Sequence, residues 1–231
     1  MDPRLPTDTI DASTARPRAN AHRRGRGRAA LGAERERIEQ RLLWMQRISH
    51  DLQDWVDLPA PDVPDLGGSD FRRLQARAIE AAAFDMRAHW NLGRGPIADL
   101  SLVLENAGIV TGRCAFDAPS TDGVSHWSRA DDRPYVPISS EKRTAVRSRF
   151  DAAHELGHLV LHRRVDRSAL TRRDEFKELE GQAHRFAGAF LLPRAEVLPI
   201  GKRAETGERE MGTFSSGSNP DAGPCNDSVP H

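Results

Sequence analysis

One short segment constrains this chain more than any other. Arg149-Phe-Asp-Ala-Ala-His-Glu-Leu-Gly-His-Leu-Val-Leu-His162 carries the pattern H-E-x-x-H inside a run with helical apolar spacing. Four residues on an α-helix advance about 6 Å and turn about 400°, so His154 and His158 leave the same face one turn apart. Each ring can reach a single zinc ion at about 2.0–2.1 Å. Glu155 follows the first ring directly, beside such an ion rather than on it. From there it can take a proton from a metal-activated water, the work of a general base. Phe150, Leu156, Leu159 and Val160 supply apolar surface to bury the helix around a dry site. Without a metal, two buried histidines would each need a hydrogen-bonding partner.

A zinc site of this kind needs a third protein ligand and one open position. His162 lies two turns beyond His154, about 12 Å along the axis, too far to share one ion on a straight helix. The variant with a glycine three residues and a histidine six residues after the second ligand is excluded, because Leu161 and Arg164 stand there. A carboxylate from a following helix remains. Asp174, Glu175, Glu178 and Glu180 are available, and Glu180 is preferred. Its one-turn neighbours Ala183, His184 and Ala187 place small residues where the second helix must approach the first. His184 is placed either to bond a ligand or to compete for the metal.

The 34 Lys and Arg balance the 34 Asp and Glu, so whole-chain charge argues for no nucleic-acid partner. The one local exception is the stretch Arg16–Arg28, with six arginines and no acid. Its default reading is a solvated arm; it is also the only place from which DNA contact is expected. No apolar run reaches the ~18 residues of a membrane span. Met1 to Ile10 has no apolar core of the secretory kind. Cys114 and Cys225 are too few for a disulfide framework, so a cytoplasmic setting is expected.

Four regions follow from composition. Residues 1–33 read as a disordered basic arm. Residues 34–66 read as a helix with the stripe Ile38, Leu42, Met45, Ile48, Leu52 and Trp55 packed into the core, then a proline-rich connector. Residues 67–200 read as the catalytic domain. Gly67–Asp70 forms a turn and N-cap, and a helix runs from Phe71 to Trp90 with Leu74, Ala78, Ala81, Ala82 and Met86 inside. A third helix, Ile97 to Ala107, ends at Gly108 as a left-handed cap. Strand signals at 109–113, 123–127 and 135–138 suggest a small antiparallel sheet. Helices over about 144–163 and 174–192 carry the metal ligands. Residues 201–231 read as a disordered tail. The fold class is α+β and mainly helical, with disordered termini.

The run from about Asp99 to Glu196 resembles the ImmA/IrrE family of zinc metallopeptidases. The matching pieces are Leu100–Ile109, Asp122–Trp127, Arg133–Ile138, Arg149–His162 and Glu180–Pro193. The resemblance implies a zincin-like core, with Zn2+ bound by His154, His158 and Glu180 and Glu155 as general base. It implies a protein substrate, a helix-turn-helix repressor. Residues 34–66 resemble the connector of members with their own N-terminal helix-turn-helix domain, so a shortened form of such a fused regulator is expected. His184 stands where the family usually has Asn or Asp, and the polar tail after Ile200 replaces helices the family usually carries. Tyr135 and His162 are candidates to assist the oxyanion or orient a ligand. The alternative is a non-catalytic regulator that binds a repressor or DNA with the same fold. Oligomeric state is not readable.

Overall fold

The computed structural model describes residues 28–193, apart from 69, 119, 120, 142, 143, 167–169 and 171. Along them run α1 (Arg28–Leu52), α2 (Ala76–His89), α3 (Leu100–Asn106), β1 (Val110–Cys114), β2 (His126–Ser128), β3 (Arg133–Ser139), α4 (Ala145–Leu161) and α5 (Arg173–Leu191). The class is α+β, mainly helical around one small sheet, as expected. The expected tail 201–231 and residues 1–27 of the basic arm lie outside the described residues. Residues 28–33 of that arm are helical, so α1 starts at Arg28 rather than Glu34. Among the described residues no helix is long and apolar enough to cross a membrane.

Local chemistry sets the element ends. The Asp70 side chain accepts from the Arg72 amide and caps a 3-10 turn, Phe71–Arg73. The chain then runs extended through Leu74 and Gln75, and α2 begins only at Ala76. The single helix expected from Phe71 is therefore two pieces. Helical phase starts late, so the buried face is Ile79, Ala82, Ala83 and Met86, while Ala78 and Ala81 face solvent. Asp99 caps α3 by accepting from the Leu102 amide. Gly108 ends α3 at φ +73°, and a methyl group there would lie 2.6 Å from the Ala60 carbonyl oxygen. Both the left-handed backbone and the connector pressed against it demand glycine.

The sheet has the order β1-β3-β2. β2 pairs antiparallel with β3, but β1 pairs parallel with it, from Val110 opposite Tyr135 to Cys114 opposite Ser139. The sheet is mixed, not antiparallel as expected. The long excursion between β1 and β3, which contains β2, brings the chain back far enough to re-enter in the same direction; a tight hairpin could not. Val136 and Ile138 of β3 join Ala153, Leu156 and Val160 of α4, Phe186 and Phe190 of α5, and Met86 of α2 in the main core. Arg87 donates to the carbonyls of Gly93, Gly95 and Phe190, tying the α2–α3 loop to the end of α5.

The helix α1 packs against β1 and β3. Ile38 is buried with Phe116, Ala118 and Val124, and Leu42 is buried too. The rest of its expected core stripe is not: Ile48, Leu52 and Trp55 are exposed, Trp55 at 86%. Contact with β3 extends as far as Ser49, buried against the Tyr135 hydroxyl, but Ile48 and Leu52 lie outside that contact, and Trp55 follows the end of the helix. Trp44, Met45, Ile48 and Leu52 instead line an open groove of about 810 Å³ beside β1.

Candidate metal centre

The helix α4 is buried at every position from Asp151 to Leu161, and His162 after it is buried as well. Neighbours on all sides (α5, α2, α3 and β3) make this possible. A helix covered all round is where a polar motif stands out, because each buried polar group must be satisfied.

His154 and His158 point one way, as their spacing requires, with their Nε2 atoms 3.2 Å apart. Glu180 arrives from α5. Its Oε2 lies 3.4 Å from Nε2 of His154 and its Oε1 3.4 Å from Nε2 of His158. The close approach of the two helices rests on small residues. A methyl group on Gly157 would stand 3.1 Å from the Phe186 ring and 3.2 Å from the Ala183 carbonyl oxygen. Ala183 was legible from its place beside Glu180; Gly157, inside the motif itself, was missed.

The three donors suit a metal. Tetrahedral zinc with bonds of about 2.0–2.1 Å has ligand atoms about 3.3–3.4 Å apart, close to the spacings found here. Two imidazoles and a carboxylate are also the donor types zinc takes. The Glu180 side chain is 39% exposed, whereas those of the rings are 4% exposed, so one side of the cluster opens toward solvent. Burial pushes the Glu180 carboxyl up, but the two imidazoles against its oxygens outweigh that and hold it well below the usual carboxylate range.

Glu155 sits on α4 beside His154 and is 7% exposed. The segment 122–124 forms its wall. A methyl group on Gly123 would lie 2.9 Å from Glu155 Cγ, so a larger residue would displace the carboxylate. That segment is pinned to β3 through the Val124 amide to the Pro137 carbonyl and the Ser139 amide to the Asp122 carbonyl. Sequence reading gave Gly123 no role in the site.

The other candidates divide. His184 belongs to the cluster: among the described residues, His154, Glu180 and His184 offer ligand atoms within 4.8 Å of one another. Its ring meets that of His154 edge-on at 4.5 Å, and its Nδ1 bonds to the Glu180 carbonyl oxygen at 2.7 Å. His162 touches the cluster through His158, with its Nδ1 2.9 Å from Nδ1 of His158. Tyr135 is not brought to the rings. Its neighbours Val136 and Ile138 face α4, while its own hydroxyl bonds to Asp131 and meets Ser49 of α1. Asp174 pairs with Arg172, Glu175 pairs with Arg72, and Glu178 is exposed, which leaves Glu180 as the acid at the histidines.

A helical domain on a small mixed sheet, with H-E-x-x-H on one buried helix and an acid from the next, is a metallopeptidase-like fold. Residues 104–214 match the peptidase M78 family, described as the IrrE N-terminal-like domain. That match is consistent with the ImmA/IrrE resemblance. No curated protein matches the chain.

Proposed function

We propose that the chain is a zinc-dependent endopeptidase acting on a helix-turn-helix repressor protein. The observation that supports this reading is the convergence of the His154 and His158 Nε2 atoms on the Glu180 carboxylate, with Glu155 next along the same helix. A zinc ion held by His154, His158 and Glu180 would supply Lewis acidity to the scissile carbonyl and lower the pKa of an adjacent water. Glu155 takes the proton of the attacking water on its carboxylate and returns it to the departing amine. Gly123 leaves room for that carboxylate, and the buried length of α4 keeps its surroundings low in dielectric, where charge interactions are strong. The repressor substrate rests on the family resemblance, and a cytoplasmic setting rests on cysteine usage.

The test combines metal analysis of the purified chain with cleavage assays on co-expressed helix-turn-helix repressors encoded nearby. Glu155→Gln is expected to keep the metal and abolish cleavage. Cleavage retained by that variant removes Glu155 from the role.

A second reading draws on His184. Four protein ligands close a zinc site, whereas catalytic sites keep a position open. If His184 fills that position, the chain is a non-catalytic regulator that binds a repressor, or DNA through the Arg16–Arg28 arm. Steeply salt-dependent DNA binding that disappears on deleting residues 1–30 would favour it.

A further inference from the structure

Behind His158 runs a line of polar groups that the peptidase reading does not use. It begins at the Phe71 carbonyl, on the 3-10 turn before α2, and crosses to α5 and then α4. Gln182 Nε2 lies 2.8 Å from the Phe71 oxygen. Gln182 Oε1 lies 2.8 Å from His162 Nε2. His162 Nδ1 lies 2.9 Å from His158 Nδ1. The three side chains are 3–6% exposed. Gln182 occupies a core position of the α5 stripe Leu179, Gln182, Ala183, Phe186, Ala187 and Phe190. A buried amide in such a stripe needs its hydrogen bonds met on both sides.

Donor and acceptor rules give this line one direction. A backbone carbonyl only accepts, so the amide NH2 of Gln182 must face Phe71 and its oxygen must face His162. That oxygen also only accepts, so His162 carries its proton on Nε2. With the ring neutral, His162 Nδ1 is bare and accepts from Nδ1–H of His158. The proton of His158 is thereby held on Nδ1, and Nε2, the atom facing His154 and Glu180, keeps its lone pair for a cation. Metal-bound histidines ordinarily have the far nitrogen held by a carboxylate, a carbonyl or water. Here that partner is a second histidine, which can serve as acceptor in only one of its two tautomers.

We propose that Gln182 is a positioning residue of the metal centre: suspended from the Phe71 carbonyl, it selects the His162 tautomer, which selects that of His158 and aims its Nε2 at the metal. The proposal rests on the reading of His154, His158 and Glu180 as metal ligands. His154 has no such tether, since its Nδ1 is buried with no hydrogen-bond partner among the described residues. The two imidazoles are therefore unequal at Nδ1, one tethered there through three elements of the fold and the other not.

The test uses the full chain with histidines labelled in nitrogen-15 and loaded with zinc. Ring spectra are expected to show His158 protonated at Nδ1, and His162 protonated at Nε2 and bare at Nδ1. Gln182→Leu is expected to let His162 populate both tautomers and to weaken zinc binding 10–100-fold. His162 protonated at Nδ1 in the unmodified protein overturns the proposal. So does a folded Gln182→Leu variant that binds zinc with undiminished affinity. If that variant loses cooperative unfolding, the spectra of the unmodified chain decide alone. Zinc retained by both His154→Ala and His158→Ala removes the ligand reading itself. Zinc lost in those two but held tightly by Gln182→Leu removes only the role of Gln182.

Discussion

The helices α1 and α4 both carry apolar residues that the sequence reads as core, and they meet opposite fates. From Asp151 onward α4 is buried on every side, polar motif included, because α2, α3, α5 and β3 surround it. In α1, among the side chains described, Glu34, Ile38, Leu42 and Ser49 are the buried ones, and the later part of its stripe lines an open groove. A stripe of apolar residues states which face can be buried. Whether it is buried depends on how many neighbours the fold supplies. A polar residue on a fully enclosed helix is under strong constraint, whereas an apolar residue on a half-covered one is under little.

The largest effects should follow changes inside α4. Replacing His154 or His158 by Ala is expected to abolish stoichiometric zinc binding; unchanged zinc content in metal analysis would contradict the ligand assignment. A bulky side chain at the contact with α5 should come next. Gly157→Val puts atoms against Ala183 and Phe186, and overpacking of this kind costs typically about 1–3 kcal/mol. Urea unfolding should register that loss, together with weaker zinc affinity as Glu180 is pushed away. A midpoint that does not move would mean the two helices are less tightly opposed than the structure has them.

An intermediate effect belongs to the interface between α1 and the sheet. Burial, reinforced by the hydrogen bond to Asp131, pushes the Tyr135 phenol well above its ordinary value. The group's contribution to stability is then complete below the unfolded-state pKa of about 10 and declines as pH rises past it. Tyr135 is the only tyrosine in the chain, so phenolate absorbance reports it directly. Absorbance should grow only together with unfolding, and Tyr135→Phe should flatten the alkaline fall in stability. A phenolate that forms in the folded protein near pH 10 would refute the burial. The smallest effects are expected on the exposed side of α1 and the turn after it, where Ile48→Ser or Trp55→Ala should shift stability within about ±0.5 kcal/mol and leave zinc affinity alone. A larger loss would show that this face is covered in solution.

The reading of α1 as a fully packed stripe failed because periodicity says which residues share a face but not which of them the sheet meets: Ser49 is buried against Tyr135 while Ile48 beside it is exposed. The antiparallel sheet failed for a related reason: strand signals locate β1, β2 and β3 but not the direction in which β3 re-enters beside β1. The inner face of α2 was displaced because capping at Asp70 produced a short turn and delayed the helix. The choice of Glu180 among four acids was legible through its small neighbours, which mark the place where α5 can come near α4. Tyr135 was offered to the site because it lies in the matching segments. Strand alternation turns its side chain to the other face.

What the chain encodes locally is the geometry within one helix. His154 and His158 share a face, and Glu155 stands beside them, because 3.6 residues per turn leaves no other arrangement. What lies between elements was decided by packing: the Gly123 wall against Glu155, the entry of His184 into the cluster, and the line from Phe71 through Gln182 to His158. Phe71 and Gln182 are 111 positions apart, and no periodicity relates them. Only the burial of both, where an unmet hydrogen bond costs about 1–3 kcal/mol, makes them partners.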